Sequence, residues 1–352
     1  MGAVRLFLAL VVAYDHWRSN ALAAKGIALD TNLTFGFNAG QAVTFFYVVS
    51  GFLITYGLSH KYGDNTRAFY KARFVRIYSL YWPLVLVSFF VVPKAWATFS
   101  GVNPFAQFTG IFLIGADWGT AFSSVLGSAA TIEGLHQAWT LGAELVFYLA
   151  APLFMRSWKI GMALLAASFI FRAVLVIVNG PGFGSGIWNY YFIGSTFGFF
   201  MLGHLVCLAS QRWGVLSNRT LGSVLLVSSF VFMNEGGRIP AFDTPNFWAG
   251  VLCFTFALPG LFEATRDVRW LNALGELSYP LYLAHGIVLA AWARPVLLPM
   301  ALDLGIASPL SIGYGAMVIY MLASIAAAMA AHRWLEIPVA KFMRSIRRPR
   351  WA

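Results

Sequence analysis

Long apolar runs alternate with short polar segments along most of the chain. A helix needs about 20 mostly apolar residues to cross the hydrocarbon core of a bilayer. Ten runs come close to this length: 4–22, 39–58, 76–93, 137–155, 159–178, 189–209, 219–233, 246–264, 273–293 and 309–331. The pattern therefore predicts an all-α protein, a polytopic transmembrane helical bundle of about ten spans.

An eleventh apolar run, 104–115, is shorter and contains two glycines. Lys and Arg accumulate on the cytoplasmic side of membrane proteins, so their distribution indicates whether this run crosses. With ten spans and a cytoplasmic N-terminus, 18 of the 24 Lys and Arg residues lie inside, 5 lie outside and Arg172 lies within a span. A crossing at 104–115 would invert every later loop. We therefore expect both termini to be cytoplasmic and 104–115 to be a re-entrant or interfacial segment.

The composition supports a membrane protein. Hydrophobic residues make up 59% of the 352 residues and charged residues only 11%, with a mean hydropathy of +0.72. An average globular protein carries about 25% charged residues, so a soluble protein of this composition could not cover its surface with polar groups. The net charge of +11 then reports orientation in the membrane, and we expect no nucleic-acid partner.

The first apolar run shares some features with a cleavable signal peptide, because Arg5 precedes it and Ala-Leu-Ala follows at 21–23. Asp15, His16 and Arg18 interrupt the approach to that site, which favours a retained span. No repeat, low-complexity run or soluble appendage is evident. We therefore expect one transmembrane domain, 1–335, followed by a basic cytoplasmic tail, 336–352.

Ionisable residues at membrane depth are the first candidates for chemistry, because they are rare in spans and mark functional sites. Arg5 and His16 are 11 residues apart, which is about 16 Å and three turns on a helix, so they face the same way. Arg5 lies at the inner end and His16 lies deep towards the outer side. His16 is either a helix-terminal residue or a general base or proton relay. Asp15 is adjacent in sequence and cannot orient its ring.

Two further segments combine small or basic residues with a spanning run. Ser50 and Gly51 lie near the middle of their span, where a small pair lets another helix or a thin ligand approach the backbone. Arg73 and Arg76 share one face at the inner end of the next helix. Guanidinium groups there fix topology, bind anionic lipid headgroups or hold phosphates.

Glu144 lies about two turns into its span from the outer side, where a carboxylate must be paired or protonated. Its partner could be Arg172, also mid-span; otherwise Glu144 is a site residue. Ser278, Tyr282 and His285 are spaced i, i+4 and i+7 and form a polar stripe on one helix. The depth of His285 resembles that of His16.

The other four histidines are weaker candidates. His60 and His332 lie at inner ends of spans, His204 lies near an inner end and His136 lies at an outer helix start. We expect each of them to be a boundary residue. We also expect no bound metal.

Together these motifs resemble the acyltransferase-3 family of integral membrane O-acyltransferases. The matching segments run from end to end in family order: R-x10-H ending at His16, FYVVSGFLIT at 46–55, R-x2-R-I at 73–77, W-[ST]-L-x2-E ending at Glu144, LG-x2-SYPLYL-x-H ending at His285 and E-x-P beginning at Glu336. Thr140 and Ser79 depart mildly from the family pattern, which more often has serine and proline there.

The resemblance implies transfer of an acyl group, usually acetyl, from cytoplasmic acetyl-CoA to a hydroxyl of a surface polysaccharide, a lipid-linked glycan or a similar acceptor. It implies three groups of site residues: catalytic His16, Glu144 and His285; Arg5, Ser50, Arg73 and Arg76 for acetyl-CoA; and Trp139, Ser278 and Tyr282 for the acceptor. The expected partners are membrane lipid, the glycan acceptor and cell-envelope polysaccharide machinery, and the expected location is a bacterial inner membrane.

A proton-coupled transporter or flippase is the alternative function. In that case His16, Glu144 and His285 would form a proton relay. The chain shows no inverted repeat of the kind that many transporters contain. Within the enzyme hypothesis, neutral imidazole has a suitable pKa for a general base near pH 7. Both direct transfer and an acylated His16 remain open.

Overall fold

The computed structural model describes residues 1–24, 38–116, 132–154, 157–179, 187–234, 241–303 and 312–345, and every regular element within these ranges is a helix. The α-helices are α1 (Gly2–Ala24), α2 (Ala39–Gly57), α3 (Thr66–Val91), α4 (Ala95–Ser100), α5 (Pro104–Phe112), α6 (Trp139–Phe154), α7 (Trp158–Asn179), α8 (Ile187–Tyr190), α9 (Ile193–Arg212), α10 (Arg219–Phe232), α11 (Pro245–Thr265), α12 (Arg269–Glu276), α13 (Ser278–Val288), α14 (Leu298–Asp303), α15 (Ile312–Ala331) and α16 (Ile337–Ser345). Short π-helical turns follow α2, α13 and α15, at Leu58–Tyr62, Leu289–Leu297 and His332–Glu336.

Seven helical stretches within the described ranges are long and apolar enough to cross a membrane, so the chain is an all-helical, multi-pass membrane protein. They are Ala39–Tyr62, Thr66–Val91, Trp158–Val178, Trp188–Arg212, Pro245–Thr265, Arg269–Ala301 and Gly315–Ser345. The predicted spans 4–22, 137–155 and 219–233 also form helices, but they are not among the seven. The first carries three charged residues, and the other two form helices of only 16 and 14 residues.

The apolar segment 104–115 contains only the nine-residue α5, which is too short to cross a bilayer. The carbonyls of its last turn accept hydrogen bonds from the middle of α3: Tyr81 donates to Gly110, Trp82 to Ile111 and Tyr78 to Phe112. These donors satisfy carbonyls that a helix end leaves unpaired. The C-terminal end of α5 therefore meets α3 halfway along its length.

Glycines allow the closest helix contacts around α1 and α2. A Cβ atom added to Gly51 would lie 2.0 Å from the carbonyl oxygen of Phe200, and one added to Gly203 would lie 1.9 Å from that of Val48. Gly51 therefore serves the packing of α2 on α9, one of the two interpretations of the Ser50–Gly51 pair. A similar contact joins Gly2 to Gly275, so the beginning of α1 packs on α12.

Arg172 holds α7 to α8 and to the loop before α11. Its guanidinium donates to both carboxylate oxygens of Asp243, at 2.5 and 3.0 Å, and to the backbone oxygen of Asn189 at 2.7 Å. The alternative in which Arg172 pairs with Glu144 is therefore wrong. Position along the sequence placed both residues within spans, but it did not show that Arg172 faces an acid contributed by a loop.

His204 is also not a boundary residue, contrary to expectation. It is 0% exposed and its Nδ1 lies 3.0 Å from the hydroxyl of Thr55, which itself donates to the carbonyl of Gly51. The ring fits between helices because Gly161 has no side chain; a Cβ there would lie 2.6 Å from the imidazole. The rotation of α9, rather than the depth of His204 along it, determines this burial.

Candidate active site

Two histidines from opposite ends of the sequence meet in the interior. Nδ1 of His16 on α1 lies 3.0 Å from Nε2 of His285 on α13, and the ring centroids are 5.2 Å apart. His285 is fully buried, whereas His16 is half-buried. The structure therefore brings together the two imidazoles that the sequence placed at similar depth.

The backbone around His285 is held by several polar contacts. Nδ1 of His285 lies 3.0 Å from the carbonyl oxygen of Leu281, and the hydroxyl of Tyr320 donates to the carbonyl of His285 at 3.2 Å. The amide of Gln137 donates to the carbonyls of Tyr282 and Leu283 at 3.1 and 3.0 Å. These contacts hold the helix turn of His285 against α15 and the segment before α6.

Asp15 points away from the imidazole pair, as its sequence position indicated. Its carboxylate accepts from Arg18 at 3.0 Å and from the backbone amide of Ala39 at 3.0 Å. Since Ala39 is the first residue of α2, the carboxylate lies at a helix N-terminus, where the exposed amides favour negative charge. Asp15 thus anchors the outer part of α1, and so His16, to α2.

Glu144 lies at the junction of α2 and α6. Its two carboxylate oxygens accept from the hydroxyls of Ser50 at 2.7 Å and Tyr148 at 2.9 Å. Arg5 and Arg73 lie within electrostatic range of the carboxylate. The carboxylate thus has two hydrogen-bond donors and two cationic neighbours around it.

A cavity lies beside this carboxylate, and neither His16 nor His285 is among its lining residues. It encloses about 420 Å³ of empty space, part of it open to the outside. The lining residues are Arg5, Val43, Phe46, Tyr47, Thr140, Leu141, Glu144, Ser278, Tyr279 and Tyr282. Four of the predicted site residues, Arg5, Glu144, Ser278 and Tyr282, thus face one space. Within it the hydroxyls of Thr140 and Tyr282 lie 2.9 Å apart.

Arg73 and Arg76 lie on one face of α3 but differ in their contacts. Arg76 donates to Glu336 at 2.8 Å and lies over the ring of Tyr279, 5.0 Å from its centroid. Glu336 also contacts Nδ1 of His332 at 2.7 Å. Arg73 packs instead against the ring of Tyr148, 5.8 Å from its centroid.

Tyrosine rings connect the cavity to both charged groups. Tyr279 lines the cavity and lies beneath Arg76. Tyr282 also lines the cavity, and its ring meets that of His285 edge-on at 6.1 Å. The cavity is thus next to Arg76 through Tyr279 and next to His285 through Tyr282. Such an arrangement can hold an extended anionic ligand with its reactive end near an imidazole.

The predicted residue Trp139 lies beside the cavity rather than in its lining. Its ring packs edge-on against Tyr190 and Tyr191, with centroids 5.1 and 4.5 Å apart. Tyr190 is within electrostatic range of Asp15 and Tyr282. Trp139 therefore belongs to an aromatic cluster with Tyr190 and Tyr191 beside the cavity.

Sequence reasoning missed three polar residues that the structure places at the site. Tyr148 is four residues after Glu144 and His332 is four residues before Glu336, so i, i+4 spacing on a helix was the available signal for both. Gln137 precedes its helix, and nothing in its local sequence indicated a contact with α13. Within the described ranges, no group of three or more His, Cys, Asp or Glu side chains could hold a metal ion.

Comparison with known proteins gives two matches. The family model described as "Acyltransferase domain" matches residues 1–333. Nodulation protein 10 of Rhizobium leguminosarum bv. viciae is 27% identical over 320 residues, covering 81% of this chain and 81% of that protein. No solved structure matches the chain.

Proposed function

Because the chain belongs to the acyltransferase-3 family, we propose that it moves an acetyl group from cytoplasmic acetyl-CoA to a hydroxyl of a surface or lipid-linked glycan. The family assignment establishes an acyltransferase domain; the donor, the oxygen acceptor and the bacterial inner membrane are our proposal. The observation that supports this proposal is the cavity next to Arg76 and His285. No contact of Glu144 with a histidine is present in the described part of the chain. The proton relay through His16, Glu144 and His285 that a transporter would need is therefore not supported.

The donor enters this cavity from the cytoplasmic side. Guanidinium groups bind phosphates through strong charge-assisted hydrogen bonds, and Arg73 and Arg76 lie at the inner end. The pantetheine arm then extends past Arg5 and Glu144. Hydroxyl and amide groups of the arm form hydrogen bonds with polar side chains that line the cavity, including those of Thr140 and Tyr282. Arg5 and His16 are about 16 Å apart by helix rise, a length that an extended arm can span.

The acceptor approaches from the outer side, where His16 is half-buried. His16 accepts the hydroxyl proton while the oxygen attacks the thioester carbon. The C–S bond breaks, and the proton passes to the departing thiolate to give the free thiol of CoA. We favour this direct transfer over acylation of His16, because no serine or cysteine nucleophile stands beside His16 in sequence.

The test is transfer of radioactive acetyl from acetyl-CoA by the purified chain in vesicles, with a membrane glycan extract of the producing cells as acceptor. We expect label in the glycan fraction that mild alkali releases, because oxygen esters are labile to alkali and amides resist it. Alkali-stable label would point to a nitrogen acceptor. No transfer above that of boiled protein would contradict the proposed function. Label retained on the protein would indicate an acyl-enzyme and ping-pong kinetics.

The proposed topology has ten spans with both termini in the cytoplasm. In a chain lacking Cys207 and Cys253, a cysteine at Asp64 should be shielded from an impermeant thiol reagent in intact cells. A cysteine at Gly101 should react, because it lies on the outer side and is exposed. The reverse pattern would contradict the topology. Gly184, in the next outer loop, lies outside the described residues.

Removal of the two inner arginines should weaken donor binding. The Arg73→Ala, Arg76→Ala double variant is expected to raise the KM for acetyl-CoA about tenfold or more, since a hydrogen bond to a charged group contributes about 1.5–3 kcal/mol. Initial rates at varied acetyl-CoA measure this change.

A matched control separates phosphate binding from packing. Glu336→Gln removes the acid that pairs with Arg76 but leaves both arginines in place. We expect its donor KM to stay the same or fall, because phosphate no longer competes with a carboxylate. A rise in KM equal to that of the double variant would show that the Arg76–Glu336 pair only holds the helices together.

A further inference from the structure

We propose that His285 is a positioning residue that fixes the tautomer of His16. The tautomer itself follows from hydrogen-bond geometry, whereas its consequence for catalysis rests on the proposed function. Two contacts carry the argument. They join Nδ1 of His285 to the carbonyl of Leu281 and Nε2 of His285 to Nδ1 of His16, each at 3.0 Å.

The first contact determines where the proton of His285 lies. A carbonyl oxygen can only accept a hydrogen bond, so Nδ1 of His285 must carry the proton that it donates to Leu281. In a neutral imidazole the other nitrogen is then an acceptor. Nε2 of His285 therefore presents a lone pair to His16.

The second contact then determines the tautomer of His16. Since Nε2 of His285 accepts, Nδ1 of His16 must be the donor across the 3.0 Å contact. A neutral His16 consequently has its lone pair on Nε2. No described residue makes a hydrogen bond to that nitrogen, and His16 is the more exposed of the two rings. Nε2 of His16 is thus the nitrogen available to accept a proton.

The opposite arrangement would leave buried polar atoms unmatched. If His16 carried its proton on Nε2, its Nδ1 would present a lone pair to Nε2 of His285. Either Nε2 of His285 would then face it with a second lone pair, or Nε2 would carry the proton. In the latter case the unprotonated Nδ1 of His285 would face the carbonyl oxygen of Leu281. Either choice removes a buried hydrogen bond, which is costly. A protonated His285 would place a charge in a fully buried site. The nearest acid along α1, Asp15, is occupied by Arg18 and the amide of Ala39.

The surroundings fix the helix turn that carries His285. Tyr320 and Gln137 hold the carbonyls of its helix turn, at His285, Tyr282 and Leu283. A nucleophile or base that is oriented by a second group, itself oriented by a third, is the arrangement of catalytic triads. Here the third group is the backbone carbonyl of Leu281 rather than a carboxylate.

His285 exchanges no proton in the transfer. The acceptor hydroxyl gives its proton to Nε2 of His16 as the new C–O bond forms and the C–S bond breaks, and the same proton then moves to the thiolate. While His16 is positively charged, its Nδ1 continues to donate to His285. His285 therefore orients the base and stabilises the imidazolium.

Two substitutions of similar size distinguish this role from packing. In His285→Gln the side-chain oxygen can take the place of Nε2 and accept from His16, whereas in His285→Leu it cannot. We expect His285→Leu to lower kcat by up to about 10⁴-fold, the loss seen when the orienting acid of a catalytic triad is replaced, with an unchanged KM for acetyl-CoA. His285→Gln should stay within about tenfold of the wild-type kcat, as expected when the hydrogen bond is retained. Equal losses in both variants, or a more active leucine variant, would overturn the proposal.

A measurement without turnover tests the tautomer directly. The full chain labelled with ¹⁵N-histidine in lipid nanodiscs gives NMR signals that distinguish the two neutral forms, and the signal missing from His16→Ala identifies His16 among the six histidines. We expect the Nδ1–H form in the wild type and its loss in His285→Leu. The Nε2–H form in the wild type would overturn the inference. Because this result needs no acyl transfer, it stands apart from a failure of the proposed function.

Discussion

Replacement of His16 by alanine is expected to abolish acyl transfer while leaving expression and donor binding intact. Of the two rings, only that of His16 has a nitrogen, Nε2, without a hydrogen bond to a described residue, so it can accept the hydroxyl proton. Its partner His285 is fully buried. Loss of a general base typically lowers the rate about 10²- to 10⁴-fold. Steady-state kcat, together with binding of acetyl-CoA to the purified variant, measures both effects.

The matched control for this variant is His60→Ala. His60 is exposed, its Nδ1 lies 3.0 Å from the carbonyl oxygen of Tyr56, and its ring stacks on that of Tyr56, away from the histidine pair. It should retain near-wild-type turnover. A His16→Ala protein with near-wild-type kcat would show that this residue is not the base. Lost donor binding in the same protein would indicate a structural role.

Replacement of Glu144 by glutamine should also cut activity strongly. The carboxylate accepts from Ser50 and Tyr148 and balances the charge of Arg5 and Arg73 at the wall of the cavity. An amide offers one acceptor where the carboxylate offered two, and it carries no charge. Since hydrogen bonds to charged groups contribute about 1.5–3 kcal/mol each, we expect kcat/KM to fall roughly 10- to 100-fold or more.

Two control substitutions are measured beside Glu144→Gln. Ser50→Ala removes one of the two donors and should cost less than Glu144→Gln. Glu133→Gln changes a carboxylate that pairs with His136 and Arg294 outside the cavity, and it should leave turnover unchanged. Full activity of Glu144→Gln would remove Glu144 from the site.

The sequence predicted those features that depend on position along a single helix. The spacing of Arg5 and His16 placed them on one face of α1, and counting from the helix ends placed His16 and His285 at similar depth. The LG-x2-SYPLYL-x-H and W-[ST]-L-x2-E motifs also contain six of the residues that line the cavity. These predictions needed only helix rise, periodicity and the alternation of spans.

Features that depend on helix rotation or on loops were not predictable in the same way. Arg172 binds Asp243 because of how the loop before α11 folds, and no periodic pattern records that contact. His204 is buried because α9 turns it towards Gly161. The predicted spans 4–22, 137–155 and 219–233 are helices, but charge or short length distinguishes them from the seven apolar stretches. The partner of Arg76, Glu336, is 260 residues away, beyond any local signal.

The central claim is that an acyl group passes from a donor on the cytoplasmic side to an acceptor on the other side through the cavity below His16. Vesicles containing the chain in one orientation test it, with radioactive acetyl-CoA supplied only to the cytoplasmic face and a membrane-impermeant glycan extract only to the outer face. We predict alkali-labile label on the glycan with the wild-type chain and none with His16→Ala. Transfer that occurs only when donor and acceptor share one side of the membrane would contradict the account.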